Sequence, residues 1–154
     1  MSTYHLAQIN IARMLYPLDD PRMAGFTNRL DEINALADEA EGFVWRLQTE
    51  EGNATDVQAF DDEWIIVNMS VWESIEALYA YTFKTVHVEL LRDRKAWFER
   101  MDSPAVAMWW VPKGHVPTPA EAKEKLALIE KIGVSADSFT FAKQFSPEGK
   151  AIRK

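Results

Sequence analysis

Hydrophobic and polar residues alternate along three short stretches of the chain, and between those stretches apolar residues recur at helical spacing. From Trp64 to Trp72, Ile65, Val67, Met69 and Val71 fall on one face and Trp64, Ile66, Asn68, Ser70 and Trp72 on the other, the period of two expected of a strand. Tyr4 to Ala12 repeats the pattern, setting Ala7, Ile9 and Ile11 against Leu6, Gln8, Asn10 and Ala12. Phe43 to Gln48 sets Phe43, Trp45 and Leu47 against Val44, Arg46 and Gln48, and Ala105 to Val111 reads as a further strand. In the first three, one face is purely apolar and the other mixed. A face carrying indoles, amides and a hydroxyl suits a dry core poorly, because buried polar groups need partners, but it suits the wall of a binding cavity.

The helical signals lie between the strands. Asp20 caps and Pro21 fits the first position of a helix whose apolar stripe is Met23, Phe26, Leu30, Ile33, Ala37 and Ala40, with Gly42 as its stop. A second helix starts near Ser74 with Ile75, Leu78, Tyr79 and Phe83 on one face, and Thr85 is a possible break. From His87 onward Leu90, Leu91, Trp97 and Phe98 keep helical spacing until Asp102, Ser103 and Pro104. Thr118, Pro119 and Glu121 form a capping box that opens a helix over 118–132, and Gly133 closes it. Glu50 to Asp62 is a polar loop, Ser138 to Phe145 a short terminal strand, and 146–154 a mobile tail.

Strand, helix, strand, strand, helix, strand is the order of an α+β, ferredoxin-like split βαβ unit: one antiparallel sheet with helices on one face. The expectation is a single domain over 1–145 with an appended helix. The clean faces take the helices, and the mixed face, rich in large aromatics, is left open. Such a face is too apolar for water, so a homodimer covering it is expected.

Composition narrows the partners. A formal net charge of −7 over 154 residues, with no basic cluster, argues against nucleic acid or an anionic membrane as the main partner. There is no cysteine, hence no disulfide or thiolate site, and the reducing cytoplasm is the default location. The N-terminus lacks the pattern of a signal peptide, and no apolar run approaches the roughly 18 residues of a membrane span.

Candidate chemistry collects on the mixed face, where Gln8, Asn10, Arg46, Gln48, Trp64, Asn68, Ser70 and Trp72 project together. They suit either a cavity with aromatic walls and polar anchors or a wet dimer interface. Trp109 and Trp110 point to opposite faces, so one of them meets the cavity side; Trp109 is counted among the candidates, and which of the two it is stays open. His87 heads the stripe of Leu90, Leu91 and Trp97 and is expected to point inward. It is a candidate general base, or a ligand to a metal or haem iron, set against a hydrogen-bonded core or capping role. No metal site is expected: His5, His87 and His115 show no ligand spacing, and Glu89 lies off the helix face of His87. His115 reads as a loop or interface residue. No phosphate loop, GxSxG elbow or Walker pattern occurs.

VWESIEAL, from Val71 to Leu78, resembles the strand-to-helix junction of the dimeric α/β-barrel superfamily, which includes antibiotic-biosynthesis-monooxygenase-like proteins. MWWVPKGHVPTPAEAKEKL, from Met108 to Leu126, with SFTF from Ser138, resembles the uncharacterised bacterial family of domain of unknown function 3291. The superfamily resemblance implies cofactor-independent oxygenation of a small hydrophobic, aromatic or polyketide-like substrate. His87 would then take the proton, with Asn10, Asn68 or Arg46 stabilising the oxyanion. The haem-degrading members place an Asn on the first strand and a Trp and a His after the third; Asn10 and His87 match by position, with Tyr81 where the Trp would be. Haem is therefore the alternative cofactor, and a non-catalytic ligand-binding or interaction module the remaining alternative.

Overall fold

A computed structural model describes residues 3–47, 64–85, 87–101 and 104–152, with the backbone alone at His87. The organising element is β1 (Tyr4–Met14). It runs antiparallel to β3 (Ile65–Trp72) on one side, pairing Leu6 with Trp72, Gln8 with Ser70 and Asn10 with Asn68. On its other side it pairs with β5 (Val106–Pro112), Leu6 opposite Trp110 and Asn10 opposite Val106, and at its end with the two-residue β4 (Phe98–Glu99). β2 (Phe43–Arg46) is antiparallel to the outer edge of β3, giving the order β2-β3-β1-β5. The result is an α+β architecture with an antiparallel sheet, and the sheet is open.

Cross-strand partners share a face, so Ala7, Ile9 and Ile11 align with Val67, Met69 and Val71 of β3 and with Ala107 and Trp109 of β5. All of these are buried. They take only one of the long helices, α5 (Pro119–Ile132), through Ala122 and Leu126. The other helical segments lie over the mixed face. α3 (Ile75–Lys84) packs Ile75 and Leu78 with Leu6, Trp72 and Met108. At the far end Met14 and Ile66 gather with Phe26 of α1 (Ala24–Thr27), Leu30 of α2 (Leu30–Glu39), Leu90 of α4 (His87–Asp93) and Trp97.

Helices thus cover both faces, and the expected assignment of a helical clean face and an open mixed face is corrected. The reason lies in where the polar residues fall along the strands. Leu6, Trp72 and Met108 at one end and Met14 and Ile66 at the other are as apolar as the clean face. Only the middle, at Gln8, Asn10, Asn68 and Ser70, is polar, and those groups bond to one another.

Several boundaries also differ from the periodicity. The first helix is broken: Asp20 accepts a hydrogen bond from the Arg22 amide at 2.8 Å and caps a 3₁₀ turn over Pro21–Met23, ahead of the separate α1 and α2. The stripe after His87 leaves the helix at Asp93, and Phe98 enters β4. Thr85, with extended backbone, does end α3. A bulge between Phe43 and Trp45 puts Phe43 opposite Trp72 on the mixed face, with ring centroids 5.4 Å apart, while Trp45 stays opposite Val71. Phe43, Trp45 and Leu47 therefore do not share a face. Gly42, with φ of 81°, makes this turn possible, since a Cβ there would lie 2.5 Å from the Ala77 Cβ.

After α5 the chain rounds the edge of β5, where Met108 and Phe139 exchange backbone hydrogen bonds of 2.8 and 2.9 Å. The expected strand over Ser138 to Phe145 is reduced to this bridge and β6 (Gln144–Phe145); β7 (Ala151–Ile152) turns back onto β6 where a tail is expected. Among the described residues no helix is long and apolar enough to cross a membrane. The polar loop over 50–62 and Gln48 lie outside the described residues.

Candidate functional site

The register of β1 against β3 brings five polar side chains into one row of hydrogen bonds. The Trp72 indole N–H donates to Ser70 Oγ at 2.8 Å. The Gln8 amide donates to the same oxygen at 2.7 Å and to Asn68 Oδ1 at 2.9 Å. Asn10 Nδ2 donates to Gln8 Oε1 at 3.1 Å and to Asn68 Oδ1 at 3.2 Å. The row starts in the core and ends at the surface: Trp72 is 0% exposed, Gln8 4% and Ser70 6%, whereas Asn10 is half-buried and Asn68 exposed. Each buried member is paired, which is what allows an amide and a hydroxyl to sit among apolar neighbours.

Next to Trp72 the tertiary structure adds residues from elsewhere. Tyr81 of α3 stacks on its indole, centroids 5.1 Å apart, and donates its hydroxyl to the Ile33 carbonyl at 3.0 Å. Burial pushes the Tyr81 phenol well above its ordinary value, with the Arg46 charge opposing and the Asp38 charge reinforcing the shift. Tyr81 is therefore a neutral hydrogen-bond donor and a packing partner of Trp72. Arg46 forks onto Asp38, Nε to Oδ1 at 2.8 Å and Nη2 to Oδ2 at 3.3 Å. Its guanidinium is committed to a carboxylate, which weakens it as an oxyanion partner.

Trp64 lies at the opposite end of the face, grouped with Met14, Met23 and Trp97, so it does not join Trp72 in one wall. His87 is the first residue of α4; its side chain lies outside the described residues.

Trp109 is on the other side of the sheet, which corrects its place among the mixed-face candidates. Trp110 is the member of the pair that faces Leu6 and Trp72, and its indole donates to the Phe145 carbonyl at 2.7 Å. The Trp109 indole donates to Glu121 Oε2 at 2.8 Å, and Glu121 Oε1 meets His115 Nε2 at 2.7 Å. Thr118 does cap α5, accepting from the Glu121 amide at 3.1 Å. The Glu121 carboxylate, expected to close a capping box, instead joins β5 to the loop. Burial by itself would raise the Glu121 carboxyl, but the His115 and Trp109 hydrogen bonds, with the charges of His115 and Lys125, hold it below its ordinary value. The TPAE sequence pointed to a local cap; nothing in it signalled the partner on β5.

On this clean face a half-open groove of about 260 Å³ lies between α5 and the strand ends, floored by Ile11, Ile65 and Leu126 with Lys123 and Glu130 at its rim. It is smaller than the ~300–1,000 Å³ usual for ligand sites.

Fold and polar row together define an α+β protein with an antiparallel sheet and a hydrogen-bonded amide ladder set into one otherwise apolar face. The chain belongs to the family described as domain of unknown function (DUF3291), whose profile matches residues 5–154. Two solved structures resemble it. One is NE2512, a protein of unknown function from Nitrosomonas europaea, 11% identical with a TM-score of 0.45, the match covering 76% of this chain and 96% of that one. The other is PA3566 from Pseudomonas aeruginosa, 16% identical with a TM-score of 0.47, covering 75% and 98% respectively. No curated protein matches the chain.

Proposed function

We propose that this protein binds a small, mainly hydrophobic and aromatic molecule at the surface end of the amide ladder. One observation carries the reading: the Asn10 and Asn68 amides stand side by side where the mixed face emerges between two apolar clusters. Polar groups held in place by their neighbours and flanked by apolar surface are the usual make-up of a small-molecule site.

The reaction suggested by the superfamily resemblance is oxygenation without a cofactor. In that form of the proposal His87 takes the substrate proton, and an amide N–H at the ladder's end stabilises the oxyanion, with Arg46, paired to Asp38, the weaker candidate for that role. The haem alternative draws on Asn10 and His87, but the described residues around Trp72 do not fit a porphyrin. The indole is fully buried in a cluster with Ile75, Leu78 and Phe139, and the ladder beside it bonds to itself.

The wider proposal is a ferredoxin-like unit of the dimeric α/β-barrel type. Its support is the antiparallel order β2-β3-β1-β5, with helical segments between β1 and β2 and between β3 and β5. A homodimer would then meet through the part of the clean face beside α5, where Trp45, Leu47 and Ile65 are half-buried. A cytoplasmic location is compatible with the cysteine-free sequence.

The test is a titration with electron-rich phenols, followed by ¹⁵N NMR and oxygen uptake. Shifts at Asn10, Asn68 and Ser70 with oxygen consumption lost in His87→Ala support the oxygenase. Shifts without turnover support a non-catalytic binding module. No shift at these residues across the panel refutes the site.

A further inference from the structure

Where the ladder meets solvent it leaves one donor beside one acceptor, and that pairing selects a ligand. Gln8 uses both amide protons, on Asn68 Oδ1 and Ser70 Oγ, and Asn10 uses both of its own, on Gln8 Oε1 and Asn68 Oδ1. Two groups are left over among the described residues: the Asn68 amide nitrogen, with two protons, and the Asn10 carbonyl oxygen.

The same heavy-atom positions admit the reverse proton order. Ser70 then donates to Gln8, Gln8 donates to Asn10, and Asn68 donates to both Gln8 and Asn10. The leftover groups become the Asn68 carbonyl and the Asn10 amide nitrogen. In either order one exposed amide offers a donor and its neighbour an acceptor. Mixed orders place like groups against each other and are excluded.

Asn10 and Asn68 are direct cross-strand partners, and Val106, 37% exposed, is the next residue across the sheet on the same face. An apolar body resting on Val106 would bring one polar edge to the amide pair.

Resting on the reading above that this face binds a small molecule, we propose that the Asn10–Asn68 pair is a subsite for a planar edge with one donor beside one acceptor, as in a carboxamide or lactam. A carboxylate or ester presents two acceptors and an amidinium two donors. Each leaves one Asn group facing its own kind, and an unpaired polar group of this sort weakens binding by about tenfold.

The probes are benzamide, benzoate, methyl benzoate and benzamidine, titrated into the full chain at millimolar concentration while the Asn side-chain amide resonances are followed. The expected order has benzamide about tenfold tighter than the other three. The decisive variant is Asn68→Asp. Its inner oxygen still accepts from Gln8 and Asn10, so the ladder is kept, while its outer oxygen replaces the donor. Two acceptors then face the ligand, and preference is expected to swing from benzamide to benzamidine. Ion pairing adds to that gain, so a matching gain for benzylamine, a point cation without the planar edge, would count against the proposal. Equal binding of all four probes at these resonances, or no swing in Asn68→Asp, overturns the proposal while leaving the site intact. Failure of every probe to perturb Asn10 and Asn68 overturns both.

Discussion

Gln8 is the residue on which the ladder depends, and replacing it by Met tests the structural basis of the site directly. Met keeps the volume and the unbranched stem but removes two donors and one acceptor. Of the partners released, Asn10 and Asn68 reach solvent and can turn to water at little cost. Ser70 cannot: it is 6% exposed and retains only the Trp72 indole. The loss therefore concentrates on one buried hydroxyl, for which a cost of about 1–3 kcal/mol is usual. We expect Gln8→Met to destabilise the fold by about 2 kcal/mol, lowering Tm by roughly 4–8 °C for a chain of this size. Asn68→Ala removes one acceptor of the Gln8 amide, but at the exposed end of the row where water can take its place, and should cost less, about 1 kcal/mol. Urea unfolding with an unchanged m-value measures both, and a cycle with Ser70→Ala should return a coupling of about 1 kcal/mol. A Gln8→Met protein as stable as the parent, with no coupling to Ser70, would refute the ladder as drawn.

Further predictions follow from contacts elsewhere. Gly42→Ala combines a positive φ with a clash on Ala77 and should cost about 1–3 kcal/mol, read by thermal unfolding; a neutral result would mean the turn relaxes freely. Because the folded Glu121 carboxyl is depressed, its contribution to stability is fully present above its unfolded value of about 4.5 and is lost as pH falls through the lower folded value. Stability curves of the parent and Glu121→Gln should therefore converge below about pH 4.5, and a gap that persists unchanged in acid would contradict this. Tyr81 should keep its proton in alkaline solution until the chain unfolds, visible as a missing share of phenolate absorbance near 295 nm; its early ionisation would show that the burial is not real. The dimer proposal fails if light scattering finds a species of 17.7 kDa at micromolar concentration.

Residue by residue, the strands were readable because their signal is local. Alternation at Ala7, Ile9 and Ile11 and at Ile65, Val67, Met69 and Val71 depends only on a period of two, and the clean faces it defined are buried apart from the half-buried Ile65. The caps at Asp20 and Thr118 and the helix start near Ser74 were likewise readable, since each capping partner lies within three residues. The members of the polar row, Gln8, Asn10, Asn68 and Ser70, were all legible as residents of mixed faces, and the family was legible from Met108 to Leu126.

What the chain alone could not decide was which partner each face would meet. Gln8 and Ser70 are 62 positions apart, and only the pairing register of β1 with β3 turns two mixed faces into one ladder. The bulge at Val44 moved Phe43 to the side of Trp72, an effect one extra residue produces and alternation cannot foresee. Glu121 looked like half of a capping box because its nearest partner in sequence is Thr118; in three dimensions the Trp109 indole and His115 compete for the same carboxylate and take it. Periodicity records which residues avoid water together. Tertiary packing decides whether a helix, a second strand or a ligand is what they avoid it with, because burial is non-directional while hydrogen bonds, which discriminate among partners, form only once the register has brought donor and acceptor within reach.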